Sequence, residues 1–361
     1  FEINESQPSL YRFPEKLQPY ILERSLKYSE VCKAYKNYKI ILNVNSVKNS
    51  PTMFSRRVFE VLACGTSIVS NPSKGIEETF GKDLVFMGSS KDEYEKIINE
   101  LMSNEDLRSR TCVRGIREIL NNHTYSHRLS YISEIIGLYE KKRVLPIVTI
   151  ISYIRDNQQL QLAISNFSRQ IYENKRLIIM ALENIDEQYI IEKVSELSLL
   201  RRFKLLSIDK EKKHCSLKGF LRGDYISYFD PSNYYSENYL TDLMNARSYS
   251  NAQIVGKYSH YKFDDQNLSL ELTNPGFEYR CINMSQFKSM PFDACIIDSN
   301  LIKNIDAKAF AKNITFISPK LLNINNDTLI LSIDKYNFIK GFYPSMESKD
   351  LSDSISKYLS I

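Results

Sequence analysis

Residues 38–70 read YKIILNVNSVKNSPTMFSRRVFEVLACGTSIVS, and their pattern decides the fold. Ile40 to Val44 is a short, β-branched apolar run that ends in a polar loop, which is the pattern of a buried parallel strand. A helix is expected next: Pro51 with Thr52 or Ser55 can open it, Val58 and Leu62 fall on one 3.6-residue face, and Gly65 sits where a left-handed C-terminal cap is needed. Ser67 to Ser70 then reads as a second strand. The loop and helix start, Asn45 to Arg57, fall at the carboxyl end of a strand, where doubly wound α/β sheets bind ligands.

Working outward, length and composition set limits. A chain of 361 residues is long for one core, so two domains are expected. Its 43% hydrophobic and 25% charged content describes a globular protein, and a net charge of +5 from 48 basic and 43 acidic residues announces no nucleic-acid surface. Cys32, Cys64, Cys112, Cys215, Cys281 and Cys295 are scattered without a CxxC pair or a histidine at ligand spacing, which suits reduced thiols in a cytoplasmic protein rather than zinc or disulfides. No apolar run approaches the ~20 residues that span a bilayer, and no signal peptide is visible. The patterns GxxxxGK[ST], GxSxG and HExxH do not occur, so kinase-type, hydrolase and zincin chemistries have no foothold.

The run from Phe13-Pro14-Glu15, through the RRVFEVLACGT block at 56–66, to HTYSHRLSYI at 123–132 resembles the C-terminal half of a GT-B glycosyltransferase, in the bacterial group-1 branch that includes CgeB-like proteins. The resemblance covers roughly residues 1–140. It implies a Rossmann-like lobe in which Glu60 is the ribose-binding carboxylate. The more familiar pattern has a second glutamate eight residues earlier, where this chain has Thr52, so the stereochemical outcome stays open. Arg56, Arg57 and Lys48, with the helix start and the hydroxyls of Thr52 and Ser55, would neutralise and hold a nucleotide diphosphate. The competing reading makes Arg56 and Glu60 a surface i,i+4 ion pair worth about 0.3–0.5 kcal/mol. Because the chain enters the family pattern partway through its C-terminal half, the acceptor-binding half is expected to belong to a longer protein.

Elsewhere in this region, Lys27 to Tyr38 reads as a helix, 77–80 as a short helix, Asp83 to Met87 as a strand, and Lys91 to Met102 and Asp106 to Asn121 as amphipathic helices. The loop Asn71-Pro72-Ser73-Lys74-Gly75 is either a donor contact or a plain connection. His123 and His127 stand at i,i+4 without a third ligand nearby, and the resemblance implies a structural helix there. Glu140-Lys141-Lys142-Arg143 reads as a solvated helix end and a linker over 141–145.

Residues 146–184, PIVTIISYIRDNQQLQLAISNFSRQIYENKRLIIMALEN, read strand, loop, helix, strand. With YISYFDPSNYYSENYLTDLMNARSYSNAQIVGKYSHY at 225–261, they resemble a family-2, GT-A-type glycosyltransferase, implying an α/β domain over 146–361 with a mixed, mostly parallel sheet. Its metal-binding strand end is reduced to Asp230-Pro231-Ser232-Asn233, and the second strand end keeps one carboxylate, Glu183. Asp293, Asp298 and Asp306 are candidates for the catalytic carboxylate, but none lies in an acidic pair. The segment IDKYNFIKGFYPSMES at 333–348 is not followed by the histidine the resemblance would require. Asp264-Asp265 reads as a hairpin tip. Tyr228, Tyr234, Tyr235 and Tyr239 are an aromatic cluster suited to sugar stacking or to helix packing.

The expectation is a metal-independent, cofactor-free transferase of a sugar from a nucleotide-sugar donor, a UDP-sugar first, to a cell-envelope or secreted glycan or a lipid-linked acceptor. The expected place is the cytoplasm, at the inner face of the membrane, with homo-oligomerisation left open. Two other classes remain: a non-catalytic glycan- or partner-binding scaffold, and an active metal-dependent GT-A enzyme using Asp230 and Glu183.

Overall fold

The structure is a computed structural model that describes residues 14–21, 26–138, 144–182, 185–196, 202–208, 216–286, 290–304 and 306–342. The chain divides into two compact units, Phe1–Leu138 and Tyr139–Ile361. Glu183 and the Glu140–Arg143 run lie outside the described residues. Among the described residues, no helix is long and apolar enough to cross a membrane.

In the first unit the described elements are α1 (Tyr28–Asn37), β1 (Ile40–Asn43), α2 (Arg57–Ala63), β2 (Ser67–Ser70), α3 (Lys74–Phe80), β3 (Val85–Met87), α4 (Lys91–Ser103), α5 (Glu105–Asn122) and α6 (Tyr125–Ile135). β1, β2 and β3 form a parallel sheet in that order, with Ile41 opposite Ile68 and Ile68 opposite Val85. Each parallel step requires a crossover, and α2 and α3 supply the two. The apolar face of α2, Val58, Val61 and Leu62, is buried with Ile68, Ile76, Val85 and Ile119. Gly65 ends α2 with φ +69°, the left-handed conformation expected of it.

The start of α2 differs from the expectation. The helix begins at Arg57, not near Pro51 or Thr52, and of the three candidate openers only Ser55 takes part: its Oγ accepts from the Arg57 N–H at 3.3 Å. The residues before it are held in turns instead, with the Ser50 Oγ accepting from the Met53 N–H at 3.2 Å.

The second unit contains β4 (Val148–Ile154), α7 (Asn157–Arg169), β5 (Lys175–Leu182), α8 (Glu187–Glu196), β6 (Phe203–Ile208), β7 (Tyr225–Tyr228), β8 (Tyr234–Tyr235), α9 (Tyr239–Tyr249), β9 (Ile254–Gly256), β10 (His260–Asp264), β11 (Ser269–Thr273), β12 (Arg280–Asn283), β13 (Cys295–Asp298), α10 (Ala307–Asn313), β14 (Leu329–Ser332) and β15 (Phe338–Lys340). Eight strands form one sheet in the order β12-β14-β9-β13-β7-β4-β5-β6. The pairs among β7, β4, β5 and β6 are parallel, as is β14 with β9, while β13 runs antiparallel between β7 and β9. The sheet is therefore mixed and mostly parallel, and the fold is α/β.

Both faces of this sheet are covered. Val148 and Ile150 of β4 enter one core cluster and Ile151 the other; Ile179 and Ile178 of β5 divide in the same way. This is the period-two alternation of a strand buried on both sides. A smaller sheet, β11-β10-β15-β8, carries the hairpin between β10 and β11. Asp264 and Asp265 lie at its turn, where Asp264 accepts from the Gln266 N–H at 3.0 Å.

His260, at the start of β10, is buried with its Nδ1 3.0 Å from the Lys257 carbonyl and 3.1 Å from that of Tyr258. Burial depresses its pKa more than these carbonyls raise it. A histidine kept neutral in the fold binds fewer protons than the unfolded chain once pH falls through the ordinary histidine value of about 6.5, so stability falls with pH there. Urea unfolding across that range should show the decline, and His260→Gln should flatten it.

Candidate functional site

The carboxyl ends of β1 and β2 carry a network of side-chain amides that local sequence patterns do not reveal. Asn45 Oδ1 accepts from the Ser55 N–H at 3.3 Å and from Asn43 Nδ2 at 3.2 Å. Asn71, just past β2, accepts the Asn45 N–H at 2.7 Å and returns its own Nδ2 to the Asn45 carbonyl at 2.9 Å. The 46–56 segment is thereby fixed to the strand ends, and a third tie runs from the Lys74 N–H to the Lys48 carbonyl at 2.8 Å. Lys48 and Thr52 themselves are exposed on this loop.

Below the loop, Glu60 occupies the first turn of α2. Its side chain is 20% exposed, with Oε1 2.8 Å from Arg56 Nε, so the i,i+4 ion pair forms. The Tyr35 hydroxyl of α1 reaches Glu60 Oε2 at 3.5 Å and also bonds Arg57. Partial burial, and next the Glu60 charge, push the Tyr35 pKa up. Arg56 lies over the ring of Tyr28 at 5.5 Å. Glu60, Arg56 and Arg57 are thus gathered against α1, and Ser55 stands at the helix start. Tyr28 and Tyr35 are members of this cluster that sequence reading missed, because their partners lie more than twenty residues downstream.

His123 and His127 have packing and capping roles. His123 Nε2 is 3.0 Å from Glu118 Oε1, and its ring meets Phe59 and Phe80 edge-on. His127 Nδ1 accepts the Thr124 N–H at 3.2 Å in a capping box that opens α6.

In the second unit Asp230 follows β7 at the carboxyl edge of the sheet. Its Oδ1 accepts from the Ser232 N–H at 2.9 Å and from Ser232 Oγ at 2.6 Å, closing a turn over Pro231. Asp293, immediately before β13, comes to the same edge because β13 is antiparallel to β7. The charges of Asp230 and Asp293, after burial, both raise the pKa of Tyr228. Asp293 Oδ2 is 3.1 Å from Lys340 Nζ and accepts from Asn233 Nδ2 at 2.9 Å.

Of the three carboxylates considered for this role, only Asp293 reaches the edge. Asp298 pairs with Tyr225 at the other end of β7 and caps a single turn, and Asp306 caps α10. The tyrosine cluster is core: Tyr228, Tyr234, Tyr235 and Tyr239 are all buried, and Tyr235 stacks on Phe229 at 3.9 Å. Their rings are not available to stack on a sugar.

Asp230 and Asp293 do not by themselves make a cation site, and Glu183 lies outside the described residues. Asp293 is already neutralised by the Lys340 ammonium, the Asp230 Oδ1 is spent on its own turn, and among the described residues no three His, Cys, Asp or Glu side chains converge. Lys340 is a partner of Asp293 that spacing cannot reveal, since it stands 47 positions away.

Comparison with known proteins gives one family match: the family described as glycosyl transferase-like matches residues 9–134. No curated protein matches. Similar solved structures include TarS 1-349 from S. aureus in complex with UDP-GlcNAc, at 9% identity and a TM-score of 0.38, covering 57% of this chain and 60% of that one. Another is the mannosyltransferase PcManGT from Pyrobaculum calidifontis in complex with GDP-Man and Mn2+, at 8% identity and 0.33, covering 65% and 70%. A further S. aureus TarS structure gives 10% and 0.37, covering 59% and 43%. Overlaps this loose carry no argument about fold or function, and the chain spans less than two thirds of either TarS chain. The stretch similar to the glycosyltransferase-like family, residues 9–134, is the stretch that carries Asn45, Ser55, Arg56, Arg57 and Glu60.

Proposed function

We propose that residues 1–140 are the C-terminal lobe of a GT-B glycosyltransferase, which holds a nucleotide-sugar donor without a metal ion. Residues 141–145 are the linker, and 146–361 a GT-A-like domain whose metal site is closed. The complete protein transfers a sugar, from a UDP-linked donor first, to a cell-envelope or secreted glycan, including lipid-linked acceptors at the inner face of the membrane. The observation that carries the reading is the placement of Glu60: a partly buried carboxylate on the first turn of α2, beside two arginines, within the glycosyltransferase-like stretch.

Chemically, Glu60 accepts from the ribose hydroxyls while Arg56, Arg57 and Lys48 meet the diphosphate, with Thr52 and Ser55 offering hydroxyl donors. Arg56 now rests on Glu60 and Arg57 on Tyr35. Donor binding therefore exchanges an exposed ion pair, worth little in water, for charge-assisted bonds to phosphate. Neutralising the departing diphosphate is this lobe's main contribution to rate. For the second unit, the Lys340–Asp293 pair favours a scaffold that binds glycan or partner over a metal-dependent site built on Asp230 and Glu183.

A thermal-shift panel of UDP-, GDP-, CMP- and dTDP-sugars, with and without manganese, tests this. A donor at 100 times its dissociation constant adds about 2.7 kcal/mol of stability. Stabilisation that ignores manganese, survives Asp230→Ala and disappears in Glu60→Ala is expected. Stabilisation that needs manganese and disappears in Asp230→Ala would move the donor to the second unit.

A further inference from the structure

We propose that Asn45 is a positioning residue that, with Asn71, latches the 46–56 loop into a preset shelf for the donor. This rests on the donor reading of the first unit. The two asparagines are joined in both directions. Asn71 Oδ1 accepts the Asn45 N–H at 2.7 Å, and Asn71 Nδ2 donates to the Asn45 carbonyl at 2.9 Å. The Asn45 side chain then reaches to both sides, giving Nδ2 to Ser70 Oγ at 3.1 Å and taking the Ser55 N–H on Oδ1 at 3.3 Å. One buried side chain therefore couples the end of β1, the end of β2 and the entry to α2.

The far side of the loop is also set. The Lys74 N–H donates to the Lys48 carbonyl at 2.8 Å. Gly75 permits a close approach: a Cβ there would lie 3.0 Å from the Pro51 carbonyl oxygen and 2.9 Å from the Phe54 ring. The segment carrying Lys48, Thr52 and Ser55 is thus tied at both ends and packed in the middle. A carboxamide is suited to this latch because it donates and accepts at once; a carboxylate keeps the bond from Ser55 but cannot donate to Ser70 or Asn71. Preorganisation of this kind lowers the ordering cost of binding without touching the ligand.

Hydrogen exchange on the full chain, paired with calorimetric titration of UDP, tests the latch. In Asn45→Ala, amides from Ser46 to Ser55 should exchange about tenfold faster or more, the scale of one net hydrogen bond, while β2 and β3 amides keep their protection. The UDP dissociation constant should rise by a similar factor. Asn71→Ala removes the two bonds to the Asn45 backbone, whereas Asn45→Ala removes those to Ser55 and Ser70, so Asn71→Ala should also free the loop and the double variant should lose at least as much as either single one. Asn45→Asp should fall between wild type and Asn45→Ala. Unchanged exchange at Ser55 or uniform acceleration across the unit would overturn the proposal. Wild-type protein that fails to bind UDP or any other nucleotide would sink the donor reading, while the exchange result would still decide whether Asn45 holds the loop.

Discussion

Asp334→Ala is expected to lower the melting temperature of the second unit by about 10 °C, because it leaves an ammonium group buried without its counter-charge. Lys257 is 0% exposed and Asp334 3%, with Nζ and Oδ1 2.8 Å apart. Lys257 Nζ also lies 3.4 Å from the Asp334 carbonyl, and Asp334 Oδ1 accepts the Tyr336 N–H at 2.9 Å. Breaking such a pair from one side typically costs about 3–5 kcal/mol, whereas exchanging both partners for apolar groups of similar volume is often neutral. Lys257→Met with Asp334→Leu should therefore recover most of the loss. Calorimetry on the two variants checks both halves of the argument; a shift of only a degree or two in Asp334→Ala would mean that the ammonium finds water. The pair fixes the turn leading into β15, whose last residue is Lys340.

Gly256→Ala is the second large effect, and here the reason is space. A Cβ on Gly256 would stand 2.6 Å from the Ala294 carbonyl oxygen and 2.6 Å from the Cys295 Cβ, besides the flexible end of Met290. The methionine can move, but the backbone of β13 cannot without disturbing its pairing to β9. Overpacking a filled core costs roughly 1–3 kcal/mol and occasionally more, and this site belongs at the upper end. The strain acts next to Asp293, because the Ala294 carbonyl is also the acceptor for the Lys257 N–H at 2.8 Å. Urea unfolding should give a loss near 3 kcal/mol. Gly219→Ala, with no atom within 4 Å of its added Cβ, is the control expected to change little. Equal behaviour of the two glycine variants would refute the close approach of β9 to Ala294.

Much of the first unit was legible in the sequence, because its signals are local. Ile40 to Asn43, Ser67 to Ser70, the buried face of α2 and the left-handed Gly65 follow from periodicity and from the one residue without a Cβ penalty. The start of α2 was less legible. Pro51, Thr52 and Ser55 are each acceptable openers by type, and the choice fell to Asn45, which holds the Ser55 N–H and leaves the preceding residues in turns. In the second unit, the strand, loop, helix, strand reading of 146–184 corresponds to β4, α7 and β5, but the fate of the tyrosines at 228–239 was not legible. Their pattern suits a sugar platform as well as a core, and only packing buried them, Tyr235 and Tyr239 against Phe229 and Phe338.

The polar chemistry divides along the same line. By itself the sequence determined that this is an α/β chain, with Glu60 and two arginines close together and a single carboxylate, Asp230, in the stretch 230–233. Only the tertiary structure decided which carboxylate joins Asp230, what neutralises it and what holds the loop above Glu60. Asp293 and Lys340 are 47 residues apart, Lys257 and Asp334 are 77 apart, and Asn45 and Asn71 are 26 apart. Strand and helix periods are written by neighbours along the chain. A side-chain pair across such distances depends on strand order and register: Lys257 and Asp334 meet just past the parallel pair β9 and β14, and Asn45 and Asn71 just past the parallel pair β1 and β2.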